Sequence, residues 1–429
     1  MDSLSGPKMS SQTRVEVLNT GTELLFGSVI NTHLPFLGQR LFPLGLRVQR
    51  QMTIPDGDTI RDAILESASR SDIILLTGGL GPTSDDITRE IVAELTGRPL
   101  QYDDRIFHKI RERFERRGLI LTDHISRQAY VPEGATVLPN DFGTAPGLYL
   151  PARNGIPHLF LFPGPPRELQ PMFNTYTLPI LQSLAGDHDL HARTFRTTGL
   201  GESYIEQMVG DQLLAIPGLE LGYCARLGEV DIRIIGSRSA VDTAEEIILC
   251  ELAPYIITTE GKELEQVIVQ LLAAQSATLA TAESCTGGSL ANRVTNVPGS
   301  SAVFIEGNVT YSNAAKTRTL GVSAELISNA GAVSEEVARA MAEGALRRSG
   351  TTFALSTTGI AGPDGGTAQK PVGTVFIGFA SRSHATQVEQ LFFPTDRQSF
   401  KRMCTQHALD MLRKRLLGSL HRSQISKDL

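Results

Sequence analysis

Cysteine is scarce in this chain: Cys224, Cys250, Cys285 and Cys404 stand far apart, with no CxxC spacing and no histidines at finger spacing. That excludes a disulfide framework and a structural zinc site, and it fits a reducing, cytoplasmic setting. Long apolar runs are missing too, since none approaches the ~18 residues that a bilayer helix needs, so no membrane role is expected. Positive charge is not in excess: the formal net charge is −6, which argues against a nucleic-acid binder that neutralises many phosphates. The segment Met1 to Gln12 lacks the basic start and apolar middle of a signal peptide and reads as a disordered lead-in. What remains is ordinary globular composition, 41% hydrophobic and 20% charged, for which small-molecule substrates are the default expectation.

At 429 residues the chain exceeds one core, because single cores stop growing near about 250 to 300 residues. From Arg14 onward, short β-rich runs alternate with amphipathic stretches: Arg14 to Asn19, Leu34 to Leu44, Leu46 to Ile54, Thr59 to Ser69 and Asp72 to Thr77. This βαβα rhythm predicts a parallel, doubly wound sheet, continuing through a helix from Asp85 to Leu95 and a strand at His158 to Phe162. Between His191 and Glu260 the pattern becomes a small α+β connector. A second α/β domain then begins with a helix at Glu263 to Ala274 and a strand at Ala277 to Ala282. The expected division is 1–12 lead-in, 13–185 first α/β domain, 186–260 connector, 261–418 second α/β domain and 419–429 a polar, unstructured tail.

Within the last domain, Glu283-Ser284-Cys285-Thr286-Gly287-Gly288 sets a hydroxyl, a thiol and two glycines at a strand-to-helix turn. Backbone amides and the positive end of a helix dipole converge at such a turn and can hold an oxyanion. The bland alternative, a capped helix with glycines for close packing, stands beside it on this segment alone. Tyr311-Ser312-Asn313 with Lys316, and Thr358-Gly359-Ile360-Ala361-Gly362-Pro363, follow other predicted strands and add hydroxyls and one amine. A serine is a weak nucleophile until a base removes its proton. A lysine can be that base only when burial or nearby positive charge lowers its pKa from ~10.4. Ser284 and Lys316 are the candidate pair, against a solvated surface lysine as the ordinary reading. Cys285 is the rival nucleophile, since a helix N-terminus lowers a thiol pKa. Ser334-Glu335-Glu336 reads as an N-cap with acidic residues in the first turn of a helix ending near Gly350.

In the first domain, Thr77-Gly78-Gly79-Leu80-Gly81-Pro82-Thr83-Ser84-Asp85-Asp86 follows an apolar strand. Gly78, Gly79 and Gly81 would let the backbone approach a phosphate, and Asp85 and Asp86 could hold a hard divalent cation bridging pyrophosphate oxygens. The bland reading is a cap, with Thr83 as N-cap and Asp86 three residues on.

These C-terminal motifs, together with Gly331-Ala332-Val333-Ser334-Glu335-Glu336 and Lys370-Pro371-Val372-Gly373-Thr374-Val375, resemble the CinA family in order and spacing. The N-terminal motifs Thr20 to Gly27, Asn31-Thr32, Pro132 to Ala135, Gly143 to Gly147 and Phe162 to Pro166 resemble the same family's first domain. His33 and Phe162 stand where that pattern has Asn and Leu. The resemblance implies an N-terminal doubly wound molybdopterin-binding-like domain, a small KH-like connector and a C-terminal α/β deamidase domain. It implies hydrolysis of the carboxamide of nicotinamide mononucleotide to nicotinate mononucleotide and ammonia, in pyridine nucleotide salvage, with no cofactor. Ser284 would be the nucleophile, Lys316 its activator, Thr358 a further hydroxyl and Tyr311 a neighbour of the substrate. Amides near Thr286 and Gly287 would hold the oxyanion, and Gly288, Asn313, Gly359 and Gly362 would line the substrate. Lys370 and Arg397 are phosphate candidates by charge and chain position only.

For the first domain the resemblance implies ADP-ribose hydrolysis with Mg, Mn or Co, with Glu23, Asp85 and Asp86 as metal residues, or pterin-nucleotide binding without hydrolysis. A homodimer is also implied. From 191 to 260 the connector has no GxxG and carries five Arg and no Lys against eleven Asp and Glu, which speaks against RNA clamping. A noncatalytic partner in competence or DNA damage would leave Ser284, Lys316 and Thr358 unexplained.

Overall fold

Alternating β-branched and amphipathic blocks become, in the computed structural model, three larger sheets flanked by helices and one two-stranded sheet among the described residues, which are 13–118, 120–185 and 189–425. The expected lead-in from Met1 to Gln12 lies outside them. The chain divides into two compact units between Leu190 and His191.

In the first unit, β1 (Arg14–Thr20), β2 (Arg47–Ile54), β3 (Ile73–Thr77), β4 (Thr136–Leu138), β5 (Gly147–Leu150) and β6 (His158–Phe162) form one sheet in the order β2-β1-β3-β6-β5-β4. Successive residues of β3 enter different cores. Ile73 and Leu75 pack with Leu37, Phe160 and Phe173, whereas Ile74 and Leu76 pack with Ile64, Val92 and Leu161. A strand buried on both faces needs a continuous apolar run, and that is what Ile73–Thr77 supplies. Helices α1 (His33–Leu41), α2 (Thr59–Ala68), α3 (Thr88–Thr96) and α4 (Asp104–Arg116) belong to this unit. The four strands from β2 to β6 run parallel, but β5 and β4 pair antiparallel at the far edge, a hairpin that the reading of a wholly parallel sheet did not include. The expected helix from Asp85 begins later, at Thr88, because residues 81–87 form a looped turn.

The second unit opens with β7 (His191–Thr198), β8 (Glu220–Arg226), β9 (Glu229–Gly236), α5 (Arg238–Leu252) and β10 (Ile256–Thr258), in the sheet order β8-β9-β7-β10. It continues with α6 (Leu264–Ala274), β11 (Leu279–Glu283), α7 (Ser289–Thr295), β12 (Phe304–Val309), α8 (Asn313–Leu320), α9 (Glu335–Ser349), β13 (Phe353–Gly359), β14 (Thr374–Ser381), β15 (His384–Phe392) and α10 (Arg397–Ile425). The sheet order β12-β11-β13-β14-β15 makes β11 and β13 central neighbours, parallel and in register from Leu279 opposite Phe353 to Glu283 opposite Thr357. Helix α9 starts on the expected N-cap, Ser334, whose hydroxyl accepts from the Val337 amide, and ends on left-handed Gly350. Helix α10 runs on past Leu417 to Ile425, so the tail expected from residue 419 is helical through that point; residues 426–429 lie outside the described residues.

Candidate active site

The carboxyl ends of β11 and β13 face the same end of the sheet, the place where parallel strands leave a crevice. Glu283 closes β11. Its carboxylate is fully buried, and Oε2 accepts from the Thr286 hydroxyl (2.7 Å) and from the Gly288 (3.0 Å) and Leu290 (2.9 Å) amides, while Oε1 accepts from the Ala291 amide (2.8 Å). The first turn of α7 is thus capped by the strand that precedes it. Gly287 and Gly288, at φ 59° and 92°, supply the left-handed backbone that brings the chain round.

Between strand and helix sits Ser284, half-buried, its amide donating to Thr357 O at 2.9 Å. The Gly287 amide donates back to Ser284 O (3.1 Å), and the Ser289 amide to Thr286 O (3.2 Å). The amides expected at Thr286 and Gly287 therefore need correction. Gly287 closes the turn, and the amides with no partner among the described residues are those of Cys285 and Thr286.

Lys316 comes from α8, whose N-cap Ser312 accepts from the Ala315 amide. Its ammonium donates to Ser284 Oγ at 2.9 Å and to Thr310 O at 3.0 Å, and the side chain is 1% exposed. Burial pushes its pKa down, with Cys285 acting weakly in the opposite sense. No carboxylate pairs with it among the described residues.

Cys285 points elsewhere. It is buried in the core with Phe400 and Cys404, and burial, with Cys285 adding, raises the Cys404 thiol pKa. That removes the exposure a nucleophilic thiol requires.

Thr358 follows Thr357, which lies opposite Glu283 in the register, but its hydroxyl is held by Ala332 O at 2.7 Å. The hydroxyl that touches the turn is Thr357 Oγ1, 2.7 Å from Thr286 Oγ1, and sequence reading missed it. At the rim, Tyr311 is 61% exposed, and its hydroxyl accepts from Arg397 Nη2 (2.8 Å), while Arg397 Nη1 donates to Gly362 O (2.8 Å). Arg397, Tyr311 and Gly362 are thereby brought together. Asn313 is the exposed first residue of α8, and Gly359 ends β13, where its Cα hydrogens pack against Thr374 O.

Lys370 does something else: its ammonium ties Ala330 O (3.1 Å) and Val333 O (2.7 Å), bracing the loop before α9. A cation that the sequence reading overlooked is nearer the turn. A methyl placed on Gly287 would lie 3.6 Å from Lys401 Nζ. The available signal was its place four residues after Arg397, on the same face of α10.

In the first unit, Thr20, Glu23, Asp56, Gly78, Asp85 and Asp86 line part of a cavity of about 450 Å³. Gly78 and Gly79 are left-handed, and an added Cβ would fall 2.4 Å from Thr20 Oγ1 and 2.0 Å from Thr88 Oγ1 respectively. Close packing alone thus demands both glycines. Asp86 accepts from the Thr83 amide at 2.9 Å and from its hydroxyl, so the expected cap is reversed: Ile87, not Thr83, precedes α3. An added Cβ at Gly81 would meet Asp86 Oδ2 at 2.4 Å, and one at Gly21 would meet Glu23 Oε1 at 2.7 Å. Each carboxylate is folded over its own turn. Glu23, Asp85 and Asp86 line the same cavity, although among the described residues no group of three or more His, Cys, Asp or Glu side chains is placed to hold a metal ion without other ligands. His33 is buried with Nε2 2.8 Å from Gly164 O, and Phe162 is core.

Family models match in three stretches: a probable molybdopterin binding domain over residues 16–183, the damage-inducible protein CinA KH domain over 192–251, and the CinA C-terminal domain over 261–416. The chain is 48% identical over 398 residues to a CinA-like protein of Akkermansia muciniphila, covering 93% of this chain and 96% of the relative. It is 43% identical over 425 residues to a putative competence-damage inducible protein of Symbiobacterium thermophilum, covering 94% and 99%. Among solved structures, the competence/damage inducible protein CihA of Agrobacterium tumefaciens is 41% identical, covering 35% of this chain and 91% of that one, with a TM-score of 0.34. Among the described residues no helix is long and apolar enough to cross a membrane.

Proposed function

This chain belongs to the CinA family, and on that premise we propose that its second unit is a serine amidohydrolase that converts nicotinamide mononucleotide to nicotinate mononucleotide and ammonia. The observation that carries this reading is the 2.9 Å contact between a buried, unpaired lysine and a half-exposed serine at a strand end. A lysine stripped of water is driven toward its neutral form, and the neutral amine can take the proton of Ser284 across the same distance.

Ser284 Oγ attacks the carboxamide carbon while its proton passes to Lys316 Nζ. The carbonyl oxygen becomes an oxyanion, which the unpartnered Cys285 and Thr286 amides are suited to receive. Collapse of the tetrahedral intermediate breaks the C–N bond, and Lys316 returns the proton to the departing ammonia. Water, deprotonated by Lys316, then attacks the acyl-serine; the acid leaves and Ser284 regains its proton. Arg397, held by Tyr311, and Lys401 supply cationic charge at the rim for the phosphate.

The test is ammonia release from nicotinamide mononucleotide by the full chain. Ser284→Ala is expected to lower kcat by at least about a thousandfold, whereas Cys285→Ala retains most activity. Absence of release by the wild-type chain would sink the reading.

A further inference from the structure

We propose that Lys370 is a positioning residue for the amide-hydrolysing site. By bracing residues 330–333 it commits the only proton of the Thr358 hydroxyl to Ala332 O, and Thr358 then meets the substrate as an acceptor that selects a carboxamide over a carboxylate. That role rests on the amidohydrolase reading of the second unit.

Side-chain alternation decides which hydroxyl faces the nucleophile. Ala280 and Ala282 of β11 and Ala354 of β13 pack in one core with Leu320 of α8 and Val337 of α9. Leu279 of β11 and Leu355 of β13 enter the other core, with Phe400 of α10. Side chains two apart on a strand share a face. Ser284 therefore follows Ala280 and Ala282, and Thr358 follows Ala354, onto the α8 side from which Lys316 comes. Thr357 turns the other way, to Thr286. Glu283 is paired with Thr357, and the Ser284 amide donates to Thr357 O (2.9 Å), so Ser284 and Thr358 each stand one residue beyond that pair, on adjacent strand ends and the same face.

The loop that takes the Thr358 proton is held in an uncommon way. Four consecutive carbonyls accept from side chains: Ala330 O (3.1 Å) and Val333 O (2.7 Å) from Lys370 Nζ, Gly331 O (2.9 Å) from Ser334 Oγ, and Ala332 O (2.7 Å) from Thr358 Oγ1. Lys370 thus bridges the two ends of the run and leaves Ala332 O between them for Thr358. Its own backbone is fixed by a turn, in which the Lys370 amide donates to Thr367 Oγ1 (3.0 Å) and the Thr367 amide to Lys370 O (2.9 Å). Gly331 is left-handed at φ 83°, and an added Cβ would come 3.6 Å from Lys370 Nζ, so the chain is bare where the ammonium approaches. Among the described residues Lys370 forms no salt bridge. Its charge is spent on carbonyl dipoles, and a charged donor makes the stronger hydrogen bond.

A carbonyl oxygen only accepts and a hydroxyl has one proton, so buried Thr358 must be the donor to Ala332 O and offers the substrate lone pairs alone. A carboxamide nitrogen supplies N–H groups to such an acceptor. The carboxylate of the product supplies none and sets oxygen against oxygen. A site arranged to take an N–H disfavours the analogue that lacks it, because its polar group is then left unpaired. Without the Lys370 brace the loop is free to withdraw Ala332 O, and the released hydroxyl can rotate and donate to a carboxylate.

The experiment is steady-state ammonia release from nicotinamide mononucleotide by the full chain, with nicotinate mononucleotide as inhibitor, comparing wild type with Lys370→Met, which keeps the stem and loses the ammonium. Lys370→Met is expected to lower kcat/KM about tenfold to a hundredfold. Its ratio of KM to the product Ki is expected to rise by about threefold or more, as the freed hydroxyl accepts the acid. Urea unfolding checks that the variant is folded; should it not fold, Lys370→Gln, which can still donate to one carbonyl, is expected to move the same ratio by less. A fall in kcat with an unaltered ratio would mean that Lys370 is merely structural and overturns the proposal, as does unchanged kcat/KM. Equal weakening of substrate and product, the result of a lost phosphate contact, overturns it too. No ammonia release by the wild-type chain overturns the amidohydrolase reading and the proposal with it, an outcome distinct from the others because it appears before any substitution is made.

Discussion

A carboxylate that is fully buried yet accepts four hydrogen bonds, as Glu283 does, is worth more in place than its own charge would suggest, because each donor it satisfies is also buried or half-buried. Glu283→Gln preserves shape but turns an amide N–H₂ toward donors. Urea unfolding is expected to show a loss of about 2–4 kcal/mol, with ammonia release falling in parallel; an unchanged midpoint would mean that the cap is dispensable. Lys316 governs pH dependence. Its pKa lies below the ordinary lysine range, so the active, neutral amine is lost as pH falls through that lowered value, and kcat is expected to rise with pH along an acid limb. Lys316→Arg, which keeps charge and cannot deprotonate, should abolish activity at every pH measured. Ser284 and Lys316 were legible in the sequence because each follows a recognisable strand. Thr357 and Lys401 were not, since one depends on which face of β13 a hydroxyl takes and the other on where a distant helix packs.

At the level of elements, α8 delivers Lys316 and is pressed on by α9 at a single glycine. A Cβ on Gly344 would lie 2.1 Å from Leu320 O. Intrinsic propensity favours Ala over Gly in a helix by about 1 kcal/mol, yet here the added methyl must push the two helices apart. Gly344→Ala is therefore expected to destabilise by about 1–3 kcal/mol and to lower kcat more than it raises KM, as judged by urea unfolding and steady-state kinetics. Equal or greater stability with unaltered kcat would show that α8 is free to shift. Helix α4 escaped the sequence reading because its charges hid a short apolar seam.

For the molecule as a whole, the second unit joins its KH-type module to the C-terminal domain through polar groups that are mostly buried. Gln406 Nε2 on α10 donates to Glu229 Oε1 on β9 (2.9 Å), and Arg196 on β7 meets Glu263 Oε1 before α6 (2.6 Å). Burial raises the Glu229 pKa, with Arg196 opposing. The folded chain then keeps that proton to higher pH than the unfolded chain, so this contribution to stability is full below the ordinary glutamate range and declines as pH rises through the shifted value. Glu229→Gln retains the acceptor for Gln406 and removes the buried charge. Its thermal midpoint at pH 8 is expected to equal or exceed that of wild type, with a flatter pH dependence; a lower midpoint at pH 8 would mean that the ionised carboxylate is stabilising. Local pattern and turn chemistry by themselves determined the α/β class, the order of three modules, the family and the Ser284–Lys316 pair, because period, glycine position and motif order are properties of neighbouring residues. Only the tertiary structure decided that the Glu283 carboxylate occupies the helix amides, that Cys285 turns into the core and that Lys370 braces a loop. Each of those outcomes depends on which atoms of remote segments compete for the same donor or the same space, and one-dimensional spacing carries no information about that competition.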